Sequence, residues 1–198
     1  LEHIVYSQAM DHLDKFNILS KLQHGYRNGC STETQLLKVI NLFAKCLENK
    51  SQTDSISLDF SRAFDVVPHE RLLLKLNYYG IRKYLPWIRN FLTNRKQCVI
   101  IDGVKSRFVT VSSGLPQGTV LAGILFLIFI NDLPESILNS FTGIFCDDTL
   151  IAREIKTKSD SIDLQNDLDR VFEWTKLWGM KFNTGKCVQM TVSNKNKV

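Results

Sequence analysis

Phe145-Cys146-Asp147-Asp148 sets two carboxylates side by side in an otherwise apolar stretch, with Thr142-Gly143-Ile144 before it and Thr149-Leu150-Ile151 after it. At about 4 Å and a surface-like dielectric, two such charges repel by ~4 kcal/mol, and neither is readily buried without a partner. Asp favours turns, so a lone pair of this kind is compatible with a solvated hairpin turn. The alternative is a cation held between the two. A third carboxylate, Asp59, lies in the alternating segment Ser55-Ile56-Ser57-Leu58-Asp59-Phe60, whose period of two marks a strand. If that strand and the Asp147-Asp148 hairpin are sheet neighbours, three carboxylates meet on one edge. Hard oxygen ligands suit Mg²⁺, which completes its shell with water and substrate phosphates. Two such ions about 3.5–4 Å apart clamp the attacking and leaving oxygens of an in-line phosphoryl transfer.

The elements that must position these groups follow from periodicity and punctuation. Mixed helical spacing predicts a helix over 1–19, and Gln23-His24-Gly25-Tyr26-Arg27-Asn28-Gly29 is a glycine-punctuated loop. Ser31-Thr32-Glu33-Thr34 supplies N-cap candidates for a helix with Leu36, Leu37, Val39, Ile40, Phe43, Ala44 and Leu47 on one broad face. Pro68 opens a further helix that Gly80 ends. Asp102-Gly103 is the turn of a hairpin spanning 98–111. The loop Ser112-Ser113-Gly114-Leu115-Pro116-Gln117-Gly118 leads into an apolar helix over 119–133, a second hairpin covers 143–152, an amphipathic helix covers 159–178, and 180–192 returns as strand and turn. Helices and antiparallel hairpins mix, which predicts an α+β fold with helices on one face of a mostly antiparallel sheet.

Composition narrows the function classes. The chain has 198 residues, 44% of them hydrophobic, enough for a core, and its net charge of +5 is compatible with a polyanionic partner. Cys30, Cys46, Cys98, Cys146 and Cys187 are scattered without metal spacing, the pattern of reduced thiols in an intracellular protein, nuclear or cytoplasmic. The longest apolar run, 120–130, falls short of the about 20 residues that cross a bilayer, so it predicts a buried core helix and no membrane partner. Because the chain begins at Leu1 rather than Met, it is expected to be a piece of something longer.

Taken together, the motifs resemble the reverse transcriptase domain of non-LTR retrotransposons. Asp59-Phe60-Ser61-Arg62-Ala63-Phe64-Asp65-Val66-Val67-Pro68-His69 is similar to the family's A motif. Gly114-Leu115-Pro116-Gln117-Gly118-Thr119-Val120-Leu121, continuing to Phe129-Ile130-Asn131-Asp132-Leu133-Pro134, is similar to the B motif. Phe145-Cys146-Asp147-Asp148-Thr149 is similar to the C motif, with Cys where Ala is usual. Gln23-His24-Gly25-Tyr26-Arg27 with Ser31-Thr32 resembles the fingers motif that precedes A, and Trp178-Gly179-Met180-Lys181-Phe182-Asn183 with Lys186-Cys187 resembles motif D. Ala122-Gly123 stands where Gly-Pro is usual.

The resemblance implies a right-hand polymerase palm with partial fingers over 1–52, palm over 53–198, a fingers-side insertion at about 81–116 and the thumb missing. It implies two Mg²⁺ ions, or Mn²⁺, held by Asp59, the Phe60 carbonyl and Asp147, with Asp148 assisting, and Lys186 as the acid that protonates pyrophosphate. Phe60, Ser61, Ala63, Phe64, Pro116, Gln117 and Gly118 would line the incoming nucleotide, with Phe64 under the sugar as the steric gate; Arg27 and Gly114 would contact nucleic acid. For Asp65 a structural role, capping the following helix, is the expectation. Arg82, Lys83, Arg89, Arg95 and Lys96, interleaved with Tyr84, Trp87 and Phe91, form either a solvated helix face or a nucleic-acid track. The implied partners are an RNA template, a DNA primer, dNTP and the remaining fingers and thumb of a longer polyprotein. Two functions stay open: an RNA-directed DNA polymerase extending a primer 3′-hydroxyl, and an inactive or domesticated remnant that only binds RNA. An RNA-templated RNA polymerase shares the palm logic, but Phe64 argues against it because ribonucleotides carry the 2′-hydroxyl.

Overall fold

Asp59 follows an inner strand of a four-stranded antiparallel sheet, and the chain around that strand explains the sheet. The computed structural model describes residues 1–194. In chain order its elements are α1 (Glu2–Lys15), α2 (Thr32–Glu48), β1 (Gln52–Leu58), α3 (Ala63–Val66), α4 (His69–Tyr78), α5 (Leu85–Leu92), β2 (Lys96–Gln97), β3 (Ile100–Ile101), β4 (Val104–Lys105), β5 (Val109–Thr110), α6 (Val120–Ile130), a 3₁₀ turn (Leu133–Ser136), β6 (Phe141–Phe145), β7 (Asp148–Ile155), α7 (Lys158–Trp178) and β8 (Val188–Val192). They form two compact units, each built from two stretches of chain: a helical unit of Leu1–Ile18 with Arg62–Phe129, and a sheet unit of Leu19–Ser61 with the described residues from Ile130.

In the sheet unit the strand order is β6-β7-β1-β8. Ser57 stands opposite Leu150, and Leu150 opposite Gly143, so these three share one face across β1, β7 and β6. α2 lies on that face, where Gln35 approaches Gly143 so closely that a Cβ there would sit 3.0 Å from the Gln35 amide nitrogen. α7 covers the other face: the rings of Phe60 and Trp174 are 6.3 Å apart, and Arg153 of β7 pairs with Asp160 and Asp163 of α7. The α+β architecture is the one the sequence predicts, and its helix cover reaches both faces beside the carboxylates. α2 starts at Ser31, whose hydroxyl accepts from the Thr34 N–H while Thr34 Oγ1 accepts from the Ser31 N–H, a reciprocal cap. Of its predicted apolar face Val39 is buried, whereas Leu36, Leu37 and Ile40 stay 56%, 66% and 51% exposed.

In the helical unit α6 is apolar on every side, and residues 124–129 are at most 2% exposed, as an all-apolar helix requires. It ends at Ile130 rather than 133, and a 3₁₀ turn begins at Leu133, because Pro134 has no N–H for the Ile130 carbonyl and its ring crowds that oxygen. Asp102 and Gly103 have φ of +48° and +81°, as a two-residue primed turn demands, and join β3 to β4; β2 pairs with β5 beneath them. No helix among the described residues is long and apolar enough to cross a membrane. All five cysteines are free thiols.

Candidate active site

β1 and β7 run antiparallel with Leu58 opposite Thr149. One step further, Asp59 falls across from Asp148 on the face that Ser57 and Leu150 share. Phe145 pairs with Asp148, so Cys146 and Asp147 form the two-residue turn between β6 and β7. The sheet unit therefore brings Asp59, Asp147 and Asp148 to one end of adjacent strands. Past the β1 ladder the chain keeps an antiparallel bridge between Phe60 and Phe182, closed by Ser61 N–H to Lys181 O at 2.8 Å and Asn183 N–H to Asp59 O at 2.8 Å. That pattern turns the Phe60 N–H and C=O away from Phe182, toward the side on which β7 lies.

Among the described residues Asp59 Oδ2 is buried and accepts no hydrogen bond, and the Lys186 ammonium stands 3.9 Å from it on a side chain that is 68% exposed. A buried carboxylate oxygen without a donor costs on the order of 1–3 kcal/mol or more, so this atom calls for a cation or a donor from outside the chain. Partial burial raises the pKa of Asp148, and the charges of Asp147 and Asp59 push it further in the same direction, against the opposing pull of Lys186. Among the described residues no group of three or more His, Cys, Asp or Glu side chains is arranged to hold a metal ion. The hard carboxylate oxygens, the orphaned Asp59 atom among them, are nevertheless of the type that suits a divalent cation.

The loop before α2 packs against the turn that carries Asp147. His24 N–H donates to Ile144 O at 2.8 Å and Ile144 N–H to Leu22 O at 3.1 Å, a parallel bridge along the open edge of β6. The buried Gln23 side chain then donates to Cys146 O at 3.0 Å and accepts from Cys146 N–H at 2.8 Å. The sequence by itself gives Gln23 no chemical role; the one local signal is a polar residue two positions before Gly25. The Cys146 thiol is inert, its pKa pushed up to about 12 by burial and by the neighbouring Asp147 charge. Arg27, expected on phosphate, donates to the Ser20 carbonyl at 2.6 Å.

In the helical unit the loop containing Gln117 is sewn to α3. Gly114 N–H donates to Val67 O at 2.9 Å, Leu115 N–H to Phe64 O at 2.8 Å and Ser113 Oγ to Asp65 O at 3.0 Å. Arg95 and His69 both donate to the Gly114 carbonyl, at 3.0 and 2.9 Å. Asp65 does not cap α4, whose N-cap is Pro68. Its carboxylate instead accepts from the Gln117 amide at 2.8 Å. A polar cleft here is lined by Arg62, Asp65, Arg95, Gln97, Gln117 and residues 112–116. The Phe64 ring is half-buried and stacks on Phe126 at 4.4 Å. Ala63 is buried at the start of α3, the Pro116 carbonyl accepts from Thr119, and Gly118, at φ +78°, has open space where a Cβ would stand. Of the suspected basic track, Arg89 is bound by Glu70 and Arg95 by backbone carbonyls.

Residues 4–198 match the family model described as reverse transcriptase (RNA-dependent DNA polymerase). The chain belongs to the reverse transcriptase family. It is 33% identical over 204 residues to the RNA-directed DNA polymerase from mobile element jockey of Drosophila funebris, a match covering 98% of this chain and 22% of that relative. It is 26% identical over 190 residues to the probable RNA-directed DNA polymerase from transposon X-element of Drosophila melanogaster, covering 93% of this chain and 21% of the relative. The chain thus spans about a fifth of the length of these reverse transcriptase relatives. Among solved structures, telomerase from Candida tropicalis in complex with a TWJ fragment of telomeric RNA matches with a TM-score of 0.67 at 15% identity, over 100% of this chain and 35% of that one. Apo telomerase from Candida tropicalis matches with a TM-score of 0.67 at 13% identity, over 100% of this chain and 38% of that one. At such identities the likeness is one of fold, a palm-type α+β domain with an antiparallel sheet.

Proposed function

We propose that the chain carries the polymerising centre of an RNA-directed DNA polymerase of a non-LTR retrotransposon, transferring a nucleotide from dNTP to a primer 3′-hydroxyl on an RNA template. The observation that carries this reading is Asp59 across from Asp148, next to Asp147, with a buried Asp59 oxygen that no donor satisfies. Divalent-metal dependence is general to the reverse transcriptase family. In this reading Asp59, Asp147, Asp148 and the Phe60 carbonyl hold two Mg²⁺ ions, or Mn²⁺, which when bound neutralise charge on the reacting phosphoryl oxygens.

The chain's own groups supply positioning and proton transfer. Lys186, 3.9 Å from Asp59, gives a proton to the departing pyrophosphate. Asp65 fixes the amide of Gln117, and Gln117 with Pro116 and Gly118 contacts the incoming nucleotide; Ser61 and Ala63 offer the backbone beside it. Phe64 excludes the 2′-hydroxyl. Gly114 and Arg27 belong to the nucleic-acid side, Arg27 after exchanging its carbonyl partner for phosphate. Residues 1–52 are then part of the fingers and 53–198 the palm, with 81–116 an insertion on the fingers side.

The test is Mg²⁺-dependent primer extension on an RNA template with the purified chain and with an Asp147→Asn/Asp148→Asn control. Incorporation of dNTP that disappears in the control supports the polymerase. RNA binding without incorporation by either protein overturns it in favour of a module that only binds RNA.

A further inference from the structure

Cys146 is the first residue of the two-residue turn that presents Asp147, and its φ is +57°. In such turns the positive-φ position is usually taken by Gly, Asn or Asp, because a Cβ there crowds the backbone; for other residues the conformation costs roughly 1–2 kcal/mol. A strained position persists only where its surroundings over-determine it. Here the direction of the Asp147 carboxylate depends on it, since rotating one residue of a two-residue turn swings the next.

Gln23 supplies the restraint. Its side-chain amide meets both main-chain groups of Cys146, donating to the carbonyl at 3.0 Å and accepting from the N–H at 2.8 Å, and the same Oε1 accepts from Gly25 N–H at 2.7 Å. The residue is 4% exposed. The preceding rungs on this edge of β6 are main chain to main chain, through His24, Ile144 and Leu22. The side-chain amide therefore carries the ladder one residue further, past the point where positive φ takes Cys146 out of extended geometry. Gly25 makes the approach possible, because a Cβ there would lie 2.5 Å from Cys146 N.

We infer that Gln23 is a positioning residue of the nucleotidyl-transfer centre: by gripping the main chain of Cys146 it sets the direction of the Asp147 carboxylate. This rests on the polymerase function proposed above. Gln23 is buried and its amide is spent on main chain, so its loss is expected to lower turnover while leaving substrate binding in place. A residue that served folding alone would lower stability without separating kcat from KM.

Three versions of this chain test it: wild type, Gln23→Met, which keeps the volume and removes both bonds, and Gln23→Met/Cys146→Gly, which removes the strain that the grip restrains. Amide exchange at Cys146 and Asp147, thermal unfolding, and kcat and KM for dNTP in Mg²⁺-dependent extension are measured on each. In Gln23→Met, exchange at these two amides accelerates at least about tenfold, and kcat falls about 10–100-fold, the range for losing groups that orient metal ligands. KM for dNTP stays within about twofold, and glycine at 146 restores at least about tenfold of the lost kcat. Unchanged exchange at Cys146, or a loss shared by kcat and KM that glycine does not restore, overturns the inference. Should the wild type incorporate no nucleotide, the polymerase reading of the chain fails, and the exchange comparison alone then decides whether Gln23 holds the turn.

Discussion

Stacking on Phe126, with the rings 18° from parallel, holds the partly buried Phe64 ring. A fixed ring discriminates by clash, so Phe64→Ala is predicted to raise ribonucleotide incorporation relative to dNTP at least about tenfold in an extension assay; unchanged sugar discrimination would count against the gate. His24 makes a second prediction at this scale. Lys38 Nζ donates to its Nε2 at 2.9 Å, so Nδ1 bears the proton and donates to Thr34 Oγ1 at 2.8 Å, a neutral imidazole. Burial lowers its pKa from the ordinary 6.5, and the Lys38 charge lowers it further. The unfolded chain therefore binds more protons in the window below 6.5, and stability falls as pH drops through that window toward the folded pKa. Thermal unfolding from pH 7.5 to 5.5 should show this loss in the wild type and a flatter profile in His24→Gln. The residue types of the candidate catalytic set are legible in the sequence because each carboxylate or amide is rare in its local context. Gln23 is not, because a buried glutamine acquires meaning only from the main chain it meets.

At the level of elements, the Gln117 loop depends on Gly114. Its φ is +86°, and a Cβ would lie 2.5 Å from the Asp65 carbonyl oxygen, so both conformation and space exclude a side chain. Gly114→Ala should destabilise the fold by about 1–3 kcal/mol and raise KM for dNTP more than it lowers kcat, read by thermal unfolding beside steady-state extension. Cysteine at 146 and glycine at 114 thus meet the same demand by different means, an external grip in one case and a missing Cβ in the other. Period and punctuation located most elements: the Asp102-Gly103 hairpin, the buried α6 and the α7 helix opened at Thr157 by the Asp160 carboxylate accepting its N–H at 2.9 Å. Boundaries moved where local rules competed. Periodicity extended the α6 helix to 133, but Pro134 ended it early; the apolar stripe of α2 looked buried, yet only part of it faces the sheet.

Over the whole molecule the charge is +5, and several basic groups are taken up internally, Arg89 by Glu70, Arg153 by Asp160 and Asp163, and Arg170 by Asp167. The cations left for a polyanion should make RNA binding strongly salt-dependent, falling on the order of 10³-fold between about 50 and 200 mM salt if some six phosphates are neutralised. Filter binding should give this slope for wild type and for Asp147→Asn/Asp148→Asn alike; a flat salt dependence would contradict a phosphate-tracking surface. The sequence alone supplied the candidate chemistry: three carboxylates and a glutamine loop stand out by residue type and short spacing, and the family resemblance implies Phe64 as the proposed gate. It also determined the fold class, because periods of 2 and 3.6 are local. Only the tertiary structure decided that Asp59 stands across from Asp148, that one Asp59 oxygen is buried without a donor, and that Gln23 grips the turn beneath Asp147. Those facts arise from strand register and from contacts between distant segments, and no local pattern in the chain encodes either.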